Sequence, residues 1–220
     1  MVVTKSKKLA RNLLTDALLR KKKLLAQNES YRTNKWLLSG RQSKAGAHVE
    51  YLAKFIKGND LHTLHNILAT VKTELANYSA ITVRNEEKIY RQKNVEKSLE
   101  KKIFFTCSDA ALLFASICRA KKIPCRIMPK LNKKWFEENL WYRDASHVFA
   151  EAFIEGKWIL ADPYSGIIIS ELKDHQKNYA LLQENIHDFE GTKLFGLKES
   201  VASALKKRQR FLNKEKRINY

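Results

Sequence analysis

Cys107 stands among residues that start a helix, and it is the strongest candidate for a reactive residue in this sequence. The run TCSD at 106–109 matches a capping box, in which a Thr side chain accepts from the third helical amide and an acidic side chain reaches back to the Thr amide. Cys107 is then the first helical residue. The unpaired amides and the positive end of the helix dipole there stabilise a thiolate, and they can later stabilise an oxyanion.

His147 and Asp162 are the residues that could complete a catalytic site with this thiol. His147 begins one predicted strand and Asp162 ends the next. A two-residue hairpin loop at 155–156 places Phe149 opposite Asp162 and leaves His147 diagonal to it, whereas a four-residue loop at 153–156 makes His147 and Asp162 direct neighbours. Either loop puts both side chains on one face, because side chains alternate with a period of two. The carboxylate can then orient the imidazole, as in a nucleophile, base and carboxylate triad.

A metal site is the competing interpretation of the same residues. Cys107, Cys118, Cys125 and His147 could share a metal ion, but their spacing matches no common zinc pattern, so no metal and no cofactor are expected. Helical spacing instead places Cys118 on the same face as Cys107, in the expected core. Glu151 shares the predicted face of His147 and could order the site or reach solvent, and solvent is the preferred interpretation.

The order of the predicted elements indicates an α+β fold. Apolar residues at helical spacing predict helices within the first 58 residues, at 61–75, from 107 onward and from 196 onward, and the charged segment 79–102 is predicted to be a loop or an exposed helix. Helices therefore precede the main run of strands, which argues for helices packed on an antiparallel sheet rather than for alternating βαβ units. The predicted strands are 123–129, 147–154, 157–163 and 166–170.

Charge and composition indicate an ordinary core with basic flanks. The 220-residue chain carries a net charge of +19, yet residues 103–190 hold 11 Lys and Arg against 12 Asp and Glu. Residues 1–102 carry +13 and residues 191–220 carry +7, which could hold nucleic acid or another acidic surface. A solvated helix surface is the favoured interpretation, because no aromatic-interleaved or RNA-binding motif accompanies the charge.

Three segments are predicted from these patterns. Residues 1–58 form a basic helical N-terminal extension, residues 59–190 the core domain and residues 191–220 a basic C-terminal helix. No signal-peptide core and no apolar run long enough to span a membrane occur in the sequence, so a cytoplasmic location with reduced thiols is expected. The oligomeric state stays open.

Two stretches resemble the transglutaminase-like superfamily, in the form found in bacteria and archaea. They are CSDAALLFASICRAKKIPCR and HVFAEAFIEGKWILADPYSG. The resemblance implies a papain-like core in which Cys107 is the nucleophile, His147 the base and Asp162 the orienting carboxylate. The sequence departs from the family pattern at Thr106 and Lys122, which stand where the family usually has Gly.

The remaining residues of the two stretches have roles that follow from the resemblance or stay open. Pro124, Arg126, Trp158 and Pro163 would be scaffold by resemblance. The oxyanion donor stays open between the Cys107 amide, which is preferred, and the Tyr78 hydroxyl.

Two functions are compatible with these observations. The first is a thiol enzyme that attacks a protein or peptide amide, forms a thioester, and passes the acyl group to water or to an amine. The second is a non-catalytic binding module with a papain-like fold, whose basic flanks hold an anionic partner such as nucleic acid. The presence of Cys107, His147 and Asp162 together favours the enzyme.

Overall fold

A five-stranded antiparallel sheet carries the candidate His and Asp side chains. The computed structural model describes residues 33–76, 91, 93–104, 106–137, 146–183, 185–194 and 197–218. The strands lie in the order β4-β3-β2-β1-β5, and all neighbours are antiparallel. Their bounds are β1 Cys125–Asn132, β2 Ser146–Ile154, β3 Lys157–Asp162, β4 Ile167–Ile168 and β5 Tyr179–Leu181.

Along the sequence, helices come before, between and after the strands of this sheet. By its contacts the chain divides into residues 1–35 and residues 36–220, and only residues 33–35 of the first unit are among those described. A short 3₁₀ helix spans Lys35–Leu37. The described α-helices are α1 Ala47–Phe55, α2 Leu61–Ala76, α3 Val95–Glu100, α4 Cys107–Ala120, α5 Lys134–Glu137, α6 Leu172–Asn178 and α7 Leu197–Ile218.

Helix α4 is the centre of the hydrophobic core. Every residue from 110 to 118 is buried, and this helix packs against β1, β2, α1 and α2. Alternate residues of β1 and β2 face α4, among them Ile127 and Ala150. The opposite face of the sheet carries a smaller apolar cluster of Met128, Phe149 and Leu160.

The ends of α4 are set by its own sequence. At its start Thr106 forms the predicted capping box with Asp109. At its end the Lys122 amide donates to the Arg119 carbonyl at 2.9 Å and the Ile123 amide to the Cys118 carbonyl at 2.8 Å, which is a Schellman motif. Lys122 has a φ of 61°, a left-handed conformation that glycine adopts without strain. The helix therefore ends in the left-handed conformation that glycine favours, with a lysine at that position.

The predicted α+β class, with helices packed on an antiparallel sheet, is confirmed. The four predicted strands occur within a few residues of their expected bounds. Ile154 pairs with Lys157, so the β2–β3 loop has two residues, Glu155 and Gly156, both at positive φ as in a type I′ turn. Of the two loops compatible with the sequence, the structure has the shorter one. Helix α6 and edge strand β5 were not predicted.

The three predicted segments and the cytoplasmic location stay predictions. Helix α1, which the sequence assigned to the N-terminal extension, contributes Val49 and Ala53 to the core around α4. The predicted helix within residues 1–32 lies outside the described residues. In the part of the chain that the structure describes, no helix combines the length and the apolar character needed to cross a bilayer.

We expect Lys122→Gly to stabilise the protein by about 1 kcal/mol, because glycine removes the strain of a positive φ at the end of α4. Urea unfolding monitored by circular dichroism measures this change. Ala120→Gly, two residues earlier and inside the helix, is the matched control and should destabilise by about 1 kcal/mol. A Lys122→Gly protein less stable than wild type would contradict the prediction.

Candidate active site

Cys107 is the first residue of α4 and is half-buried. The Thr106 Oγ1 accepts from the Asp109 amide at 3.3 Å, and Asp109 Oδ2 accepts from the Thr106 amide at 3.0 Å. The side chains that fix the helix start therefore flank the thiol on both sides. The Cys107 amide is one of the amides without an intrahelical partner at a helix N-terminus, so it can serve an oxyanion. Tyr78, the other candidate donor, lies outside the described residues.

Arg91 anchors the start of α4, although it lies in the segment that was predicted to be a loop or an exposed helix. Its side chain is buried, and its Nε donates to the Ser108 Oγ at 2.8 Å. Its Nη1 donates to the Ser200 Oγ of α7 at 2.9 Å, and its guanidinium lies 3.9 Å from the centre of the Phe189 ring. The residue after Cys107 is thus tied to the C-terminal part of the chain. No sequence signal marks this long-range contact.

His147 and Asp162 meet on the face of the sheet opposite α4. The His147 Nε2 lies 2.9 Å from the Asp162 Oδ2, and the two side chains are 22% and 10% exposed. The Asp162 Oδ2 lies off the direction of the ring N–H, so the hydrogen bond between the two groups is poorly aligned and charge supplies much of their attraction. The two-residue loop explains the contact, because it leaves His147 diagonal to Asp162 across β2 and β3.

The Cys107 thiol is the second polar neighbour of the His147 ring. Burial of the imidazole is the largest single influence and lowers the pKa of His147, but the hydrogen bonds with Asp162 and Cys107, together with their negative charges, raise it to about 10. The imidazole is therefore protonated at neutral pH. The structure brings together all three side chains that the sequence predicted for the site, one from the helix start and two from the hairpin.

Asp162 is held by the turn that follows it. Its Oδ1 accepts from the Tyr164 and Ser165 amides, each at 3.1 Å, and its Oδ2 accepts from the Ser165 hydroxyl at 2.8 Å. Burial raises the pKa of Asp162, but the hydrogen bond and charge of His147 and the two bonds from Ser165 outweigh it, so the pKa lies below its usual value. Ser165 therefore orients the same oxygen that faces His147.

Helix α2 supports this turn from outside the sheet. The Lys72 Nζ donates to the Tyr164 carbonyl at 3.2 Å. Gly166 has a φ of 76°, and a Cβ there would lie 2.4 Å from the Lys72 Cγ, so the position requires glycine. No role was predicted for Ser165 or Lys72 from the sequence. The Asp-Pro-x-Ser-Gly run was the available signal, since Asp and Ser side chains commonly bond the backbone of a turn.

A second polar pair lies beside His147 on the same face of the sheet. Lys130 is the direct partner of His147 across β1 and β2, and its Nζ lies 2.8 Å from the His175 Nε2, with both side chains buried. Burial, and then the charge of Lys130, lowers the pKa of His175 to about 4, and burial also lowers the pKa of Lys130. His175 is therefore neutral and accepts from the lysine. The Phe149 ring separates this pair from the His147 imidazole, with its centre 4.7 Å from that ring.

Glu151 does not reach solvent as the sequence analysis expected. It is the cross-strand partner of Arg126, whose Nε donates to its Oε2 at 2.6 Å, and the guanidinium also lies 4.1 Å from the centre of the Trp158 ring. The expectation was wrong because the basic partner is on β1, whose register against β2 is not visible in the sequence. Glu151 belongs to the scaffold of the sheet.

Cys118 and Cys125 are remote from the candidate site. Cys118 lies eleven positions after Cys107 along the helix, a rise of about 16 Å, which is too far for both to hold one metal ion. Burial, together with the neighbouring Cys125 thiol, raises the pKa of Cys118 well above its usual value. Within the described ranges, no group of three or more His, Cys, Asp or Glu side chains could hold a metal ion.

Comparisons with known proteins bear on this arrangement. The profile of the transglutaminase-like superfamily matches residues 53–163, which include Cys107, His147 and Asp162. Among solved structures, a protein described as a candidate cysteine protease of Cytophaga hutchinsonii aligns with a TM-score of 0.49 at 18% identity, over 72% of this chain and 48% of its own. The chain thus spans about half the length of that protein. A search of curated proteins gave no match.

The ionic pair at the site should make stability depend on pH. The folded pKa of His147 is raised from 6.5 to about 10, so its contribution is fully present below about pH 6.5 and is lost as the pH rises through about 10. The pKa of Asp162 is lowered from 3.8, so its contribution is present above that pH and is lost as the pH falls further. His147→Gln should therefore destabilise most between these limits, by about 1–3 kcal/mol.

Urea unfolding at a series of pH values from 4 to 10.5 measures this difference, with the exposed His65→Gln as the matched control. The gap between wild type and His147→Gln should shrink from neutral pH toward about pH 10, while His65→Gln stays close to wild type throughout. A gap that widens as the pH rises would show that the imidazole is not held in its charged form.

Proposed function

Because the chain belongs to the transglutaminase-like superfamily, we propose that it is a cysteine-dependent enzyme that attacks the carbonyl carbon of a peptide or carboxamide bond. The observation that carries the proposal is the meeting of three side chains from separate elements. The Cys107 thiol at the start of α4 lies close enough to the His147 ring to raise its pKa, and the ring Nε2 lies 2.9 Å from the Asp162 Oδ2. A nucleophile, a base and an orienting carboxylate are the groups that acyl transfer needs.

The first step is acylation of Cys107. The thiolate attacks the carbonyl carbon, a carbon–sulfur bond forms, and the electron pair of the carbonyl moves to oxygen. In the proposed step, the Cys107 amide at the helix N-terminus donates to that oxyanion. As the oxyanion collapses, the carbon–nitrogen bond breaks, and the His147 imidazolium gives its proton to the leaving amine. The result is a thioester on Cys107, a released amine and a neutral imidazole.

The second step returns the enzyme to its starting state. Water or a second amine attacks the thioester, and the neutral His147 takes the proton of the nucleophile. The carbon–sulfur bond then breaks, which releases a carboxylic acid or a new amide and restores the thiolate and imidazolium. Protein and peptide amides are the proposed donors. Water and an amine are both compatible with the site as acceptors.

Asp162 supports the imidazolium through both steps. Its carboxylate is ionised, and the Ser165 hydroxyl and the two turn amides hold it beside Nε2. The ring can then present its other nitrogen, Nδ1, to the thiol and to the leaving group. A carboxylate in this position stabilises the charged ring without taking its proton.

Cysteine variants test the proposal. Iodoacetamide at about pH 6.5 should alkylate Cys107 and leave Cys118 unmodified, because Cys107 is half-buried at the helix start, whereas Cys118 is fully buried and burial raises its pKa. Cys107→Ser should abolish labelling and turnover of a fluorogenic peptide-amide library but preserve the melting temperature. His147→Ala should slow turnover roughly 100-fold or more, because it removes the base.

Cys118→Ser is the matched control, since it makes the same substitution in the core. Its serine hydroxyl would be buried, so the variant should lose about 1–3 kcal/mol of stability while Cys107 still reacts. A well-folded Cys107→Ser protein with wild-type turnover would exclude Cys107 as the nucleophile.

A second candidate function is binding of nucleic acid by α7. Residues 197–218 contain eight Lys and Arg against two Asp and Glu, and Lys206, Lys207 and Arg210 are exposed. Ser200 and Ala204 on the same helix are buried, so one side of the helix packs against the protein and the other side is basic and exposed. A Lys and Arg surface of this kind binds phosphates by releasing counterions.

Fluorescence anisotropy with labelled single-stranded and duplex DNA measures this second activity. Affinity should fall steeply between about 50 and 200 mM salt with little sequence preference, and reversal of Lys206, Lys207 and Arg210 to Glu should abolish it. The matched control reverses Lys173 and Lys177, which are exposed on α6. Absence of binding at about 50 mM salt would exclude this function.

A further inference from the structure

Tyr164 lies beside the His147 imidazole on its solvent side. The two ring centres are 6.2 Å apart and their planes meet at 77°, while 45% of Tyr164 is exposed. The imidazole also meets the buried ring of Phe149, again edge to face. One buried and one exposed aromatic ring therefore lie beside the imidazole.

The backbone of Tyr164 is fixed at both ends. Its amide donates to the Asp162 Oδ1 at 3.1 Å, and its carbonyl accepts from the Lys72 Nζ at 3.2 Å. The turn closes with a bond from the Gly166 amide to the Asp162 carbonyl at 2.8 Å. Hydrogen bonds thus hold the backbone that carries the ring, so that little backbone entropy is lost when a ligand packs against the ring.

The turn itself does not require an aromatic residue at this position. Asp162, Ser165 and Gly166 each supply a side-chain bond or a positive φ that shapes the turn. Tyr164 supplies only its backbone groups to the same turn, and any residue other than proline could do so. The fold that the structure describes therefore does not require an aromatic ring at this position, and the exposed ring is available to a ligand.

Ile167 extends the apolar surface along the same edge. It is the cross-strand partner of Asp162 on β4, so its side chain lies on the face that carries His147 and Asp162. It is 49% exposed. An aromatic and an aliphatic side chain therefore border the candidate catalytic pair at the outer strand of the sheet.

We propose that Tyr164 and Ile167 form the wall of a subsite that binds an aromatic or aliphatic side chain of the substrate next to the amide being attacked. This inference rests on the proposed function and adds the substrate class: an amide flanked by an apolar residue. Edge-to-face or offset contact with the Tyr164 ring orients the apolar group, and burial of the two side chains supplies the affinity.

Two alkylating probes that differ only in an aryl group test the subsite. Iodoacetamide and N-benzyl iodoacetamide react with a thiolate in the same way, since sulfur attacks the methylene carbon and iodide leaves. Their rates with Cys107 are measured by intact-protein mass spectrometry and divided by their rates with free N-acetylcysteine. Wild type should prefer the benzyl probe by about fivefold to tenfold, the factor expected for one aromatic contact.

Substitutions at position 164 then separate the subsite from a structural role. Tyr164→Ala should lower the benzyl preference, the ratio of the two normalised rates, to near unity by raising the half-saturation concentration of the benzyl probe. Tyr164→Phe should keep the preference, because the ring remains. Tyr51→Ala is the matched control, since Tyr51 is a comparably exposed tyrosine on α1.

Each remaining outcome overturns the subsite. Equal rates with both probes in wild type would show that no apolar group is bound beside Cys107. A Tyr164→Ala protein that slows equally with both probes would show that Tyr164 only supports Asp162 and His147. Absence of reaction at Cys107 with either probe would contradict the proposed function itself, which separates the two failures.

Discussion

The contact between the Cys107 thiol and the His147 imidazole joins two parts of the fold that are built independently. The thiol is placed by the start of α4, and the imidazole by the β2–β3 hairpin. Neither part fixes the distance to the other. That distance is set by the packing of α4, which is buried from Ala110 to Cys118 against β1 and β2 of the sheet and against helices α1 and α2. The hydrophobic core is therefore also what aligns the site.

Charge at the site is compatible with burial because each charged group has a partner. An isolated imidazolium or carboxylate in this position would be strongly destabilising. His147 lies between Cys107 and Asp162, and Asp162 receives three hydrogen bonds from its own turn. The neighbouring Lys130 bonds to a neutral His175, so the lysine adds one positive charge beside the pair instead of two. On the face of the sheet that carries His147 and Asp162, these polar side chains are therefore paired with one another.

Parts of this arrangement could be predicted because they depend on local rules. The capping box at Thr106 involves residues three apart, and the shared face of His147 and Asp162 follows from strand alternation across a short loop. The prediction that Glu151 reaches solvent was wrong, and no role was predicted for Ser165 or His175. Glu151 depends on the register of β1 against β2, and His175 on the seating of α6 beside the sheet. The segments between these elements carry no pattern that specifies either geometry.

The sequence by itself determined where α4 begins, that its first residue is a cysteine among unpaired amides, and that an imidazole and a carboxylate share one face of a hairpin. These features are local, since each depends on residues within one turn of helix or one pair of strands. Tertiary structure alone decided that the thiol reaches the imidazole, that Arg91 braces the helix start, and that Tyr164 borders the pair. The reason is that such contacts depend on how elements pack, and packing is set by the whole core rather than by any short stretch of chain.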